Sequence, residues 1–167
     1  MPPMRPSRTT LALLSLVAFA VAALLAGCGG ATKEEHAPAV CGEGQAVILD
    51  ALRAAPGEVI LAGEAPISDC FVPGAEEGEL ADFGEGALAA ATKLNAAARA
   101  EPGGRANLEL GYLLGAVARG SADTEGVHAE LLRRLTVAAK FAPAGEPLPA
   151  RFVDTYEKGF AAGRARG

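Results

Sequence analysis

No tryptophan occurs among the 167 residues, and aromatic side chains make up only 5% of them. That scarcity argues against an aromatic-rich β-sandwich, whose two sheets are held apart by large rings. Histidine occurs twice and cysteine three times. A structural zinc site needs more such ligands at short spacing. Positive charge is the minority sign, with 15 Lys and Arg against 20 Asp and Glu. A nucleic-acid partner needs a basic face to neutralise phosphates, so none is expected. The motifs of common enzyme classes are also missing. There is no P-loop, no glycine elbow around a serine and no dinucleotide fingerprint after a strand. "GEGALAAA" contains G-x-G but has no strand before it. No cofactor is expected. Long apolar runs are lacking too, with one exception, Leu11 to Gly27.

What remains is an aliphatic chain. Half of the residues are hydrophobic, mainly Ala, Leu and Val, and there are 21 Gly and 11 Pro. Small aliphatic side chains favour close-packed helices, and the glycines and prolines punctuate their connections. The fold expected is mainly α, a small bundle of four to five helices. A short extended arm or hairpin is expected near residues 58–68. Charge is uneven along the chain. Residues 28–85 carry 12 acids against Lys33 and Arg53, whereas residues 86–167 carry 8 acids against 11 bases. Two solvated faces of one domain account for this, and a docking feature is the sharper alternative.

The N-terminus reads as a targeting segment. "MPPMRPSRTT" carries Arg5 and Arg8 and no acid, and the 17 uncharged residues Leu11–Gly27 follow. A positive start, an apolar stretch and a small-residue end define a secretory signal. Seventeen residues fall short of the ~20 that a spanning helix needs, so an uncleaved anchor ranks second. Leu25-Ala26-Gly27-Cys28 resembles the lipobox of bacterial lipoprotein signal peptides. The resemblance covers residues 1–28 only. It implies that the Cys28 thiol receives a diacylglyceryl group and that signal peptidase II cuts before it. Residues 1–27 are then the signal peptide. Residues 28–40, "CGGATKEEHAPAV", make a flexible tether, and residues 41–167 a helical domain. His36 lies in the tether and is expected to be exposed. Location follows: the extracytoplasmic face of a cell membrane.

Giving Cys28 to lipid leaves Cys41 and Cys70. In an oxidising compartment they are expected to form one disulfide. Two free thiols or a metal pair are the alternatives. A disulfide closing 29 positions stabilises by roughly 3–4 kcal/mol in the chain-entropy reading.

Periodicity then places the helices. "GQAVILDALRAA" carries Val47, Ile48, Ala51, Leu52 and Ala55 on one face until Pro56-Gly57 stops it. Val59 and Ile60 open the best extended stretch, and a disulfide would pin it to the first helix. From Glu79 to Ala100, Leu80, Phe83, Ala87, Ala91, Leu94 and Ala98 form a stripe, with Arg99 at the favourable C-terminal end. Arg105–Arg119 is apolar nearly all round and should lie at the centre. Gly120 is expected as its C-terminal cap. Ser121, Asp123 or Thr124 should start the next helix, with Val127, Leu131, Leu135 and Ala138 facing the core. Phe152, Tyr156 and Phe160 should pack inward from the last helix.

Few residues suggest chemistry. His128 and Glu130 make H-x-E beside Glu125. Zinc deaminases use H-x-E but also need P-C-x-x-C, which is missing. On a helix, positions 128 and 130 point about 200° apart. Glu125, His128 and Glu130 are therefore a weak candidate polar site, with no metal expected. His128 could also report pH at an interface. Glu79, Asp82 and Glu85 share a face as a solvated edge or a weak cation site. Arg133 and Arg134 can pair with Glu130 or reach an anionic partner. Arg151, Lys158, Arg164 and Arg166 make the last segment basic, for lipid headgroups or for the helix dipole. Gly111/Gly115 and Gly159/Gly163 each form G-x-x-x-G, a spacing for close helix approach within the bundle or across a homodimer.

The functional expectation is a lipid-anchored envelope protein that binds or assembles. Its partners are the membrane, through Cys28, and a protein, either foreign or a second copy. The alternative is an envelope hydrolase or metal-dependent enzyme using His128 and nearby carboxylates.

Overall fold

Alanine- and leucine-rich segments become helices wherever glycine and proline allow. The computed structural model describes residues 36–74, 77–122 and 126–167. The lipobox with Cys28, the residues before it and the tether up to residue 35 lie outside the described residues. Five α-helices and one small sheet are present among the described residues. They are α1 (Gln45–Ala51), β1 (Ile60–Leu61), β2 (Ala65–Pro66), α2 (Glu77–Ala100), α3 (Arg105–Gly120), α4 (Val127–Lys140) and α5 (Ala150–Arg166). The chain is a mainly-α bundle with a hairpin inside the predicted 58–68 stretch. No helix among the described residues is long and apolar enough to cross a membrane.

The hairpin is antiparallel, pairing Ile60 with Pro66 and Leu61 with Ala65. Its turn is closed by the Glu64 N–H donating to the Leu61 carbonyl at 2.8 Å. Ala62 and Gly63 both take positive φ there, a conformation that glycine adopts without strain. Val59, Leu61 and Ile67 are fully buried, so the arm is a wall of the core. The Cys41–Cys70 disulfide holds it. Cys41 sits in a 3₁₀ turn just ahead of α1 and Cys70 in another just after β2. The bond therefore ties the arm to the entrance of α1, and both cysteines are buried.

The packed region begins before Cys41. Val40 is buried. The Ala37 N–H donates to Glu79 Oε2 at 3.1 Å, and His36 Nδ1 lies 3.1 Å from Glu79 Oε1. His36 is exposed, as expected, yet it has this partner. Glu79 thereby receives the chain as it enters the domain.

Helix α3 occupies the centre, with Leu110, Tyr112, Leu113 and Ala116 fully buried. Asn107 is buried at its start. Its side chain accepts the Gly103 N–H at 2.8 Å and donates to the Phe152 carbonyl at 3.3 Å. The Tyr112 hydroxyl accepts the Val59 N–H at 3.3 Å, and burial pushes its pKa up. Glu109 is buried beside Arg105, whose Nε donates to it at 2.8 Å. Burial raises the Glu109 pKa, and the Arg105 charge offsets part of that rise.

Both G-x-x-x-G pairs serve one intramolecular seam. A Cβ on Gly111 would strike the Tyr156 carbonyl oxygen, and one on Gly115 the Phe160 carbonyl oxygen. Reciprocally, Gly159 faces Leu108 and Gly163 faces Tyr112, again at carbonyl oxygens. Contacts advance together along both helices, so α3 and α5 run parallel with backbones in contact. Their far ends are cross-capped: Arg119 donates to the Ala165 carbonyl at 2.6 Å and Arg164 to the Ala118 carbonyl at 3.0 Å. Arg166 reaches the Pro56 carbonyl at 2.6 Å. Two of the four basic residues of the last segment thus satisfy helix-end carbonyls or a turn.

Three local expectations need correction. Gly120 is the last residue of α3, not a cap beyond it, and Ser121 takes the cap position. Glycine is required at 120 because a Cβ would meet the Phe71 ring and the Ser68 carbonyl. Ser121 does not start α4. Gly126 stands at that N-cap with φ +67° and no side-chain capping bond, while Asp123 and Thr124 lie outside the described residues. The buried face of α4 is His128, Leu131, Leu135 and Ala139, one step round from the predicted stripe. Val127 is 57% exposed, because His128 takes the core position in the first turn.

Candidate functional site

Of the predicted polar site, His128 and Glu130 are described, and they face apart. His128 lies in the first turn of α4 and turns inward, 8% exposed. Its ring meets Phe71 edge-on with centroids 5.6 Å apart, and Phe71 in turn meets Phe83 at 5.3 Å. Burial lowers the His128 pKa, because the charged imidazolium loses its hydration. Glu130 points the other way and is exposed. Arg133 donates to it through Nε and Nη2, each at 2.8 Å, and Arg134 stands 3.7 Å away. The Arg133 hydrogen bonds hold the Glu130 carboxyl below its usual range. The two residues face apart, as a two-residue helical offset requires. Glu125 lies outside the described residues. Among the described residues no three His, Cys, Asp or Glu gather closely enough to hold a metal ion.

A different feature has the shape of a binding site. Helices α2 and α4 pack together, with Leu131 and Leu135 buried and an opening left beside them. The opening between them holds a cavity of about 510 Å³, within the usual range for small-ligand pockets. Its apolar walls are Leu88 and Ala96 from α2 and Val137 and Ala138 from α4, with Phe141 just beyond. Val137 and Phe141 are 59% and 61% exposed, high for large apolar side chains. A second cavity of about 530 Å³ shares Leu88 and Arg134 with the first. Together they form one groove running along the α2–α4 seam towards Leu80 and Val127.

The first cavity is apolar and positively charged at once. Arg99, Arg133 and Arg134 line it and no carboxylate does. The neighbouring cavity carries Glu85 and Glu130, so the groove is polarised along its length. Asn95 is buried, 4% exposed. Its Nδ2 donates to the Phe141 carbonyl at 2.8 Å, which fixes the orientation of the amide. That leaves Oδ1 as a buried acceptor. Asn95 Oδ1 and Arg99 Nη1 are the buried side-chain polar atoms without a hydrogen-bond partner among the described residues. One is an acceptor and the other a donor. They stand four residues apart, on the same face of α2.

Sequence reasoning named Arg99, Arg133 and Arg134 but missed Asn95 and Phe141. The available signal was an amide beside the buried stripe of α2, next to Leu94 and one turn from Ala91. A second was Val137 and Phe141 falling off the core face of α4. Both become informative only once the two helices are set side by side.

No family model matches the chain, and neither a curated protein nor a solved structure matches it.

Proposed function

We propose that this chain is a bacterial envelope lipoprotein, tethered through Cys28, whose helical domain works by binding. The observation that carries the binding reading is the α2–α4 groove. It combines an apolar floor, a cationic end and two buried polar atoms left without partners. A buried polar atom without a partner costs about 1–3 kcal/mol, so a ligand that supplies one gains from it. The lipobox-like Leu25-Ala26-Gly27-Cys28 after an apolar run supports the tether. Two acyl chains hold a protein stably where one holds it marginally. A hydrolase or metal-dependent enzyme built on His128 draws less support, since His128 packs on Phe71 while Glu130 pairs with Arg133.

Expression of the full chain in a bacterium tests the reading. The mature protein should fractionate with membranes and begin at a diacylglyceryl-modified Cys28 by mass spectrometry. Cys28→Ser should block both lipid addition and cleavage. A full-length chain with an unmodified Cys28 thiol would overturn the tether.

A further inference from the structure

The two unpartnered atoms belong to residues that line the groove, and their chemistry specifies the polarity of what binds. Arg99 Nη1 lacks an acceptor and Asn95 Oδ1 lacks a donor. The Asn95 amide cannot turn round to help, because its Nδ2 is held by the Phe141 carbonyl. A plain fatty acid would satisfy the arginine and leave Asn95 as it is. A neutral amide would satisfy Asn95 and leave the cationic end uncompensated. An anion carrying an N–H close by, on an apolar body, satisfies all three demands.

We propose that the α2–α4 groove binds an α-amido carboxylate with an apolar side chain, the group shared by a peptide C-terminus and an N-acylated amino acid. The proposal rests on the reading of this groove as a binding surface. The carboxylate sits at Arg99, while Arg133 and Arg134, which also line the cavity, share the Glu130 carboxylate. Charge-assisted hydrogen bonds of this kind are short and are the stronger class. The amide N–H donates to Asn95 Oδ1. The side chain lies on Leu88, Val137 and Phe141, and anything longer continues into the neighbouring cavity beyond Leu88. Neither polar atom is exposed in the unliganded protein, so the flexible Arg99 side chain must swing to admit the ligand. That movement breaks no hydrogen bond at its Nη1.

The test uses the full lipidated chain in phosphatidylcholine vesicles, which avoids detergent competing for an apolar groove. Acetyl-Gly-Ala-Leu with a free C-terminus is titrated by calorimetry, beside three relatives. The first is its C-terminal amide. The second is the ester analogue that lacks the last N–H. The third is N-acetyl-leucine. The free acid should bind saturably, with the amide at least tenfold weaker and the ester analogue several-fold weaker. Arg99→Gln should bring the free acid down to the level of the amide and leave the amide unchanged. Val137→Asp, at an exposed wall position, should weaken both. N-acetyl-leucine equal to the tripeptide would identify a small acylated amino acid as sufficient. A stronger tripeptide would identify a peptide C-terminus. Blank titrations with both acids, an amide that binds as well as the acid, or an unaffected Arg99→Gln variant would each overturn the proposal. A blank titration on protein whose Cys28 carries lipid removes this ligand and leaves the tethered module. The tether is decided separately, by the mass of the mature N-terminus, so either reading can fail without the other.

Discussion

The side-chain amide of Asn95 donates to the carbonyl oxygen of Phe141 at 2.8 Å. This bond ties the last third of α2 to the residue that follows α4. It dictates which atom of the amide is left over. Asn95→Ala removes the bond and strands a carbonyl. Stability should fall by about 1–2 kcal/mol, read as a lower urea midpoint. An unchanged midpoint would mean that water replaces the amide freely.

Backbone contact between α3 and α5 sets the second expectation. Alanine is normally the better helix former, by about 1 kcal/mol over glycine. At Gly111 and Gly159 the Cβ would collide with carbonyl oxygens of the facing helix, and neither backbone can yield alone. Gly111→Ala or Gly159→Ala should therefore destabilise by about 3 kcal/mol or more. Gly78→Ala is the control. Gly78 is exposed with open space around it, so alanine should be neutral or gain about 0.5 kcal/mol. Thermal unfolding of the three variants checks the contrast.

His128 should make stability depend on pH. Its folded pKa lies below the ordinary imidazole value because of burial. The contribution is therefore fully present above about pH 6.5. It declines as pH falls below that value and levels off below the folded pKa. The slope cannot exceed about 1.4 kcal/mol per pH unit for one proton. Glu109 works in the opposite sense at lower pH, since its folded pKa is raised. The His128 part is isolated by comparing wild type with His128→Gln in denaturant titrations from pH 7.5 to 5. Parallel curves for the two proteins would mean that the imidazole is not the source.

Opening the Cys41–Cys70 bond should cost roughly 3–4 kcal/mol by loop entropy alone. Both sulfurs are buried, so mild reductant should act slowly on the folded protein. The Cys41→Ser, Cys70→Ser double variant reports the loss directly through its unfolding midpoint. A midpoint equal to wild type would show that the arm is held by Val59, Leu61 and Ile67 without the covalent tie.

The bundle was legible in the sequence to a large extent. Apolar residues at three- and four-residue spacing placed all five helices, since helical period is a local property. β-branched Val59 and Ile60 marked an extended arm or hairpin, and the fold made it a hairpin. The all-round apolar character of Arg105–Arg119 placed α3 at the centre. Burial on every side demands such a surface, and that demand is legible in the segment itself. The face of α4 was read one step off. Nothing local says that Phe71 offers His128 an aromatic partner, which lets a histidine take the core position from Val127.

The candidate site divides along the same line. The sequence by itself determined the helices, their glycine seams and the pattern at Cys28, because each depends on neighbours a few residues apart. Only the tertiary structure decided that the glycine pairs face each other within one chain. It alone brought Asn95 beside Phe141, 46 residues later, and left Oδ1 and Arg99 without partners at a common cavity. Whether a polar atom is satisfied depends on which groups the folded chain delivers to it. No periodicity along α2 or α4 separately carries that information.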